Sequence, residues 1–298
     1  MLTRRTFAAV LAATILTMLG VAPAAAAKPT APPSAPPSAP AGADRPLSRA
    51  ELEASNRRIA AAEVYAARLA LEGSDLVSLA CVTPQSASTS DAEATAAACG
   101  IPQGFLAVEA RDQVFGHYCG PAVGQVIANY SWAMGSGANK YTQGKIAGWM
   151  RTDATGQTDA FAMEDGLEAG TIGSPRRPAG WDWVVTDLRD RDADGTTADE
   201  LHSYVRSNVS SSKMPLAIPV KPHDPNSSYH LSSWPRPVSS PGHWIAAYGW
   251  YSTWNGGDTA RIYFTDSSRD EGGATGKFWN PTRHIAILIA QHTRRFVW

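Results

Sequence analysis

Gln113-Val-Phe-Gly-His-Tyr-Cys119-Gly-Pro-Ala-Val-Gly-Gln-Val-Ile-Ala-Asn129 is the stretch on which the reading of this chain turns. Cys119 is followed by Gly120 and Pro121, and proline is favoured in the first turn of a helix because its missing N–H has no intrahelical acceptor there anyway. Val123, Val126, Ile127 and Tyr130 recur at helical spacing, which gives the helix an apolar face to bury. The pattern predicts a cysteine at the mouth of a helix. There the positive end of the peptide dipoles favours thiolate, the form that attacks carbonyl carbons. Cys119 is a candidate nucleophile, to be weighed against a small, inert, buried cysteine.

The chain has 298 residues, 44% of them hydrophobic, and a formal net charge of −1. That composition suits a globular protein with a real core and carries no basic patterning of the kind nucleic-acid partners require. Residues 1–27 read as a secretory signal peptide: Arg4 and Arg5, an apolar run from Phe7 to Val21, then an alanine-rich end at Ala22 to Ala27. Thr3-Arg4-Arg5-Thr6-Phe7 resembles the twin-arginine motif, so both the twin-arginine and the general secretory routes stay open. The expected location is secreted, with bacterial-type export and no stable membrane association once the leader is cleaved. An oxidising compartment permits disulfides. Of Cys81, Cys99 and Cys119, pairing of Cys81 with Cys99 would close a loop worth about 3 kcal/mol and leave Cys119 free. Connectivity is not readable from sequence, and a Cys119 disulfide remains the alternative.

Residues 28–46 are a Pro/Ala/Ser linker, extended and solvated. An N-terminal helical segment follows over 47–100. Ser48-Arg-Ala-Glu51 is a capping box, and the apolar pattern after it predicts one amphipathic helix ending at Gly73, either the first helix of the fold or a packing arm. Short helices are expected around Tyr141–Met150 and Phe161–Ala169. The period then changes. Leu216–Val220, Trp244–Trp250, Arg261–Thr265 and Ile285–Ile289 are short β-branched or aromatic runs and read as strands. Helices first and strands second predict an α+β fold, N-terminal helices packed on a C-terminal antiparallel sheet.

Cysteine-based hydrolysis needs a thiolate, a base, a group to orient that base, and donors for the oxyanion. His243 stands at the start of an apolar strand in Gly242-His-Trp-Ile-Ala-Ala-Tyr-Gly249, and Asp266 at the exit of the next, in Tyr263-Phe-Thr-Asp-Ser267. In a hairpin the end of one strand lies beside the start of its partner, so the two can be neighbours. Asp266 would orient the imidazole and stabilise its charged form. Gln113, a short loop ahead of Cys119, would supply an amide donor beside the Cys119 backbone N–H. His117 competes for the base role from the same loop. His223, His230, His284 and His292 are scattered without metal-ligand spacing.

Gln113, Cys119-Gly-Pro-Ala, Gly242-His243-Trp, Tyr248-Gly and Phe264-Thr-Asp266 together resemble the C39-like cysteine peptidases of the papain-like superfamily, over roughly Gln113 to the C-terminus. The resemblance implies that residues 101–298 form a papain-like peptidase domain in a stand-alone form. It implies that Cys119 acylates, His243 carries the proton, Asp266 orients it and Gln113 lines the oxyanion hole. No cofactor and no metal is implied. Asp190, Asp192, Asp194 and Gly195 match the opening of a calcium loop, but Leu201 holds the place of its bidentate glutamate. A polar loop ahead of a helix capped by Thr197, with Glu200 three residues on, is the preferred reading. The expected activity is cleavage of an amide bond in a peptide or protein substrate. A cell-wall peptide amidase or transpeptidase, or a catalytically silent binding or toxin domain, are the alternatives.

Overall fold

The structure is a computed structural model and describes residues 45–72, 103–152, 158–189, 195–224, 228–238, 242–252, 260–268 and 273–298. The leader, residues 28–44 of the linker, Cys81, Cys99, and Asp190, Asp192 and Asp194 lie outside the described residues.

The first elements are α1 (Arg49–Glu72), β1 (Gln103–Phe105), α2 (Cys119–Ser131), α3 (Gln143–Met150), α4 (Ala160–Thr171) and β2 (Val185–Asp187). They are followed by α5 (Gly195–Ser207), β3 (Leu216–Val220), β4 (His243–Tyr251), β5 (Arg261–Asp266), β6 (Gly276–Pro281), α6 (Thr282–Ala290) and β7 (Arg295–Val297). The described strands form one antiparallel sheet in the order β2-β7-β3-β4-β5-β6, and β1 pairs the far end of β4. Strand β4 is its spine. It pairs with β3 through His243–Ala247 and with β1 through Gly249–Tyr251 on one edge, and with β5 on the other. Every β4 residue is buried, which is why its sequence is an unbroken apolar run rather than an alternation.

The capping box forms at the head of α1: the Ser48 N–H donates to Glu51 Oε2 at 2.6 Å and the Glu51 N–H to the Ser48 hydroxyl at 3.3 Å. Ile59 and Ala62 are buried, and the Ser55 and Thr186 hydroxyls meet at 2.9 Å, so α1 docks on α5 and β2 as part of the fold body. Helix α2 is buried from Gly120 to Ser131, packed by α3, α4 and β4. Burial of Val123, Val126 and Ile127 contributes about 1.5–3 kcal/mol apiece.

This is the expected α+β class, with corrections inside it. Ile285–Ile289 is not a strand but the middle of α6. A continuous apolar run buried on all sides has no period that separates helix from strand, and Ile285, Ala286, Leu288 and Ile289 are all inaccessible. Helix α5 starts at Gly195, so Thr197 is a buried first-turn residue rather than the cap. Glu200 accepts instead from the Arg189 N–H at 3.1 Å and from the Tyr204 hydroxyl at 2.5 Å. The short strands β1, β2 and β7 carry too few residues to show a pattern, and the half-exposed β6 has little β-branched character.

Candidate active site

Cys119 is the first residue of α2 and is half-buried with a free thiol. The residue before it, Tyr118, makes no side-chain cap to the first N–H groups of the helix. Helix and neighbouring loop touch closely: a Cβ on Gly120 would stand 2.6 Å from Thr158 Oγ1 and 2.7 Å from Thr158 Cβ. Thr158 is fixed in turn, since its carbonyl accepts from Trp244 Nε1 at 2.8 Å and its hydroxyl meets that of Thr152 at 2.7 Å. The mouth of α2 is thus locked to the residue that follows His243.

His243 opens β4 and Asp266 closes β5. The two strands are antiparallel, with Ala246 opposite Thr265 and an extra residue, Tyr248, bulged between Ala247 and Gly249. This brings His243 Nε2 to 2.7 Å from Asp266 Oδ1. Both side chains are almost inaccessible, at 4% and 1%. Nε2 is committed to Asp266, and the Cys119 thiol stands near enough to the imidazole to interact with its charge. Burial by itself would depress the imidazole pKa. The Asp266 charge and hydrogen bond outweigh it, with help from Cys119, and raise the pKa well above the ordinary 6.5. Burial pushes Asp266 the other way from His243, but the imidazole, the Ser233 hydroxyl and the Ser268 N–H hold its pKa below the usual carboxylate value. Both directions favour an ionised pair.

Gln113 is brought to the same place. Its backbone N–H donates to the carbonyl of Ser267, next to Asp266, at 3.0 Å. Its side-chain Nε2 donates to the Gly116 carbonyl at 2.7 Å, which uses one of its two N–H bonds and leaves the second. Gln113 is 7% exposed, and its Oε1 has no hydrogen-bond partner among the described residues. The competitor His117 stacks on Phe115 with centroids 5.7 Å apart and meets Tyr118 edge-on at 4.8 Å, within its own loop.

Sequence reasoning missed the groups that hold the Gln113 loop. Gln143 donates to the Asp112 carbonyl at 2.7 Å and accepts from the Val114 N–H at 2.9 Å, while Gln125 accepts from Gln143 at 3.1 Å and donates to the Tyr141 carbonyl at 2.7 Å. A glutamine at 125, polar within the run Ala122–Ala128, was the available signal. The scattered histidines are also partly gathered: His223 and His230 form a β-bridge and stack at 5.0 Å. Among the described residues no group of three or more His, Cys, Asp or Glu is placed to hold a metal ion, and no helix is long and apolar enough to cross a membrane.

No family model and no curated protein matches the chain. Among solved structures it is similar to the Amb a 11 cysteine protease, a major ragweed pollen allergen, in its proform, at 10% identity and TM-score 0.40, covering 66% of this chain and 65% of that one. It is similar to the bromelain protease from Ananas comosus in complex with the E64 inhibitor at 12% identity and TM-score 0.38, covering 72% and 98%. Digestive procathepsin L2 proteinase from Tenebrio molitor larval midgut matches at 16% identity and TM-score 0.35, covering 63% and 62%. The chain spans a little under two thirds of the first of these. Likenesses this distant leave the site to be read from its own geometry.

Proposed function

We propose that this chain is a cysteine hydrolase that cleaves an amide bond in a peptide or peptide-like substrate. The observation that carries the reading is a buried imidazole bonded at 2.7 Å to a buried carboxylate, with a half-buried free thiol at a helix mouth near enough to act on the charge of that imidazole. His243 takes the Cys119 proton, and Cys119 Sγ forms a bond to the substrate carbonyl carbon while the carbonyl π pair moves onto oxygen. The Cys119 N–H, which has no intrahelical acceptor, and the second N–H of Gln113 are the donors for that oxyanion. Collapse of the intermediate breaks the C–N bond, and His243 gives its proton to the departing amine. Water then attacks the thioester with His243 as base, releasing the acid and restoring the thiol. Asp266 keeps the imidazole oriented and stabilises its charged form without itself taking the proton.

The same residues support the finer reading, a secreted stand-alone member of the C39-like branch of the papain-like superfamily. The test uses an electrophilic activity probe on the full chain. Labelling is expected at Cys119, to be lost in Cys119→Ala and slowed at least about a hundredfold in His243→Ala. Equal labelling of the His243 variant would reduce Cys119 to an exposed thiol and sink the proposal. An amine added during turnover distinguishes hydrolysis from transpeptidation, because the thioester goes to whichever nucleophile the site admits.

A further inference from the structure

Asp266 Oδ1 is occupied by His243 and by the Ser268 N–H at 2.8 Å. Its other oxygen, Oδ2, is held from a segment of chain that no strand pairing requires. The Ser233 hydroxyl donates to Oδ2 at 2.6 Å and Trp234 Nε1 donates to it at 2.9 Å. Ser233, Trp234 and Asp266 are buried to 1%, 2% and 1% exposure, so water does not share these bonds. An indole N–H can only donate, and an ionised carboxylate accepts at every one of its lone pairs, so the donors gathered on Oδ2 favour the charged form of Asp266. The Trp234 ring does a second thing. It meets the His243 imidazole edge to face, with centroids 5.1 Å apart, and so walls the side of the ring that the Asp266 bond leaves unconstrained.

The segment is anchored independently of the pair it serves. Asn280 on β6, itself 4% exposed, accepts from the Ser232 N–H at 2.8 Å and donates to the His230 carbonyl at 2.9 Å. The Ser232 hydroxyl donates to the Trp279 carbonyl at 2.9 Å, and the Trp234 N–H closes a turn on Leu231 at 2.9 Å. Behind the indole there is no slack: a Cβ on Gly273 would lie 2.7 Å from Trp234 Cε2 and 2.5 Å from Ser268 Oγ. Strand β6 therefore fixes the His230–Trp234 segment, and that segment fixes the carboxylate.

From this we infer that Ser233 and Trp234 are positioning residues: they clamp the second oxygen of Asp266 in its ionised form, and through it set the orientation and charge of His243. The inference rests on the proposed role of the Cys119, His243 and Asp266 set. Neither side chain is among the residues that the sequence pattern singled out, since both lie upstream of His243 in a Ser-Ser-Trp run with no spacing relation to the site.

The test is the pH profile of Cys119 alkylation by iodoacetamide in the full chain, which needs no substrate. If the clamp keeps Asp266 ionised, removing its donors lets the carboxylate protonate at higher pH, and the imidazolium that supports the thiolate is lost with it. Ser233→Ala and Trp234→Phe are each expected to slow alkylation about tenfold near pH ~5, and less than about twofold near pH ~9, where alkylation no longer depends on the imidazolium. Ser233→Thr keeps the hydroxyl and is expected to restore the wild-type profile. Ser233→Ala removes a single oxygen and keeps the experiment decisive if the tryptophan variant does not fold. Folded variants with the wild-type profile would overturn the inference, as would a loss of rate equal at all pH values, the mark of a merely structural role. A wild-type protein that alkylates like an unassisted thiol would instead overturn the proposed function itself, and would be seen before any variant is made.

Discussion

Asp266→Asn removes one charge and almost no volume, and the surroundings of Asp266 show how much the charge matters. Oδ1 accepts from His243 Nε2 and the Ser268 N–H, and Oδ2 from Ser233 and Trp234. An asparagine amide must turn its N–H2 toward one pair or the other. Facing Oδ2's partners it meets the indole N–H, which cannot accept; facing Oδ1's partners it meets the Ser268 N–H, which cannot either. Either orientation buries opposed donors. The imidazolium also loses its counter-charge. With the N···O distance at 2.7 Å the charge centres lie roughly 4 Å apart, worth about 4 kcal/mol at an effective dielectric of about 20. A residual neutral hydrogen bond returns about 1 kcal/mol of that, leaving about 3 kcal/mol, or roughly a hundredfold less thiolate–imidazolium at neutral pH. The assay is the second-order rate of Cys119 alkylation at about pH 6.5, near the ordinary imidazole pKa, with circular dichroism to confirm the fold. The expected fall is about a hundredfold. A folded Asp266→Asn protein alkylating within about threefold of wild type would refute the electrostatic coupling of Asp266 to Cys119 through His243.

Gln113→Ala should slow acylation by an activated ester such as p-nitrophenyl acetate by about 3 kcal/mol, roughly a hundredfold, while leaving iodoacetamide alkylation unchanged, because only the first reaction forms an oxyanion. Equal effects on both rates would remove Gln113 from the oxyanion hole. Gly120→Ala drives a methyl group to within 2.6 Å of Thr158 Oγ1, and the urea midpoint should fall by the equivalent of about 1–3 kcal/mol; an unchanged midpoint would contradict the tight packing of α2 on Thr158. Glu164 on α4 has its pKa raised by burial, and by the charges of Glu51 and Asp165, from 4.5 to about 7. A carboxyl that binds its proton more tightly when folded loses stability for the fold as pH rises from 4.5 through about 7. Discounted for solvent screening of its exposed part, Glu164→Gln should stabilise the protein by about 1–2 kcal/mol near about pH 8 and not at all near about pH 4, as read by thermal melts at the two pH values.

The candidate site residues were legible because each sits at a boundary that the sequence marks. Cys119 precedes Gly-Pro at the start of an apolar helical period, and His243 and Asp266 flank two apolar runs separated by turn residues. The capping box at Ser48 was legible for the same reason, since its two hydrogen bonds are local. Where the sequence misled, the deciding contacts were remote. Ile285–Ile289 has strand composition, yet its surroundings enclose it on all sides and it winds into α6 between β6 and β7. Thr197 has the look of a cap, but the helix is already formed at Gly195, and Glu200 accepts from the Arg189 N–H eleven residues upstream.

By itself, then, the sequence determined which residue types stand at strand and helix ends, because period and capping are properties of a few consecutive residues. It fixed the α+β class and nominated the cysteine, the histidine, the aspartate and the glutamine. Only the tertiary structure decided what surrounds them: that Gln113 is tied to Ser267, that Thr158 braces both the Cys119 helix and Trp244, and that Ser233 and Trp234 close on Asp266. Those contacts join segments far apart in the chain, and their energies depend on burial and on donor geometry that no local pattern encodes.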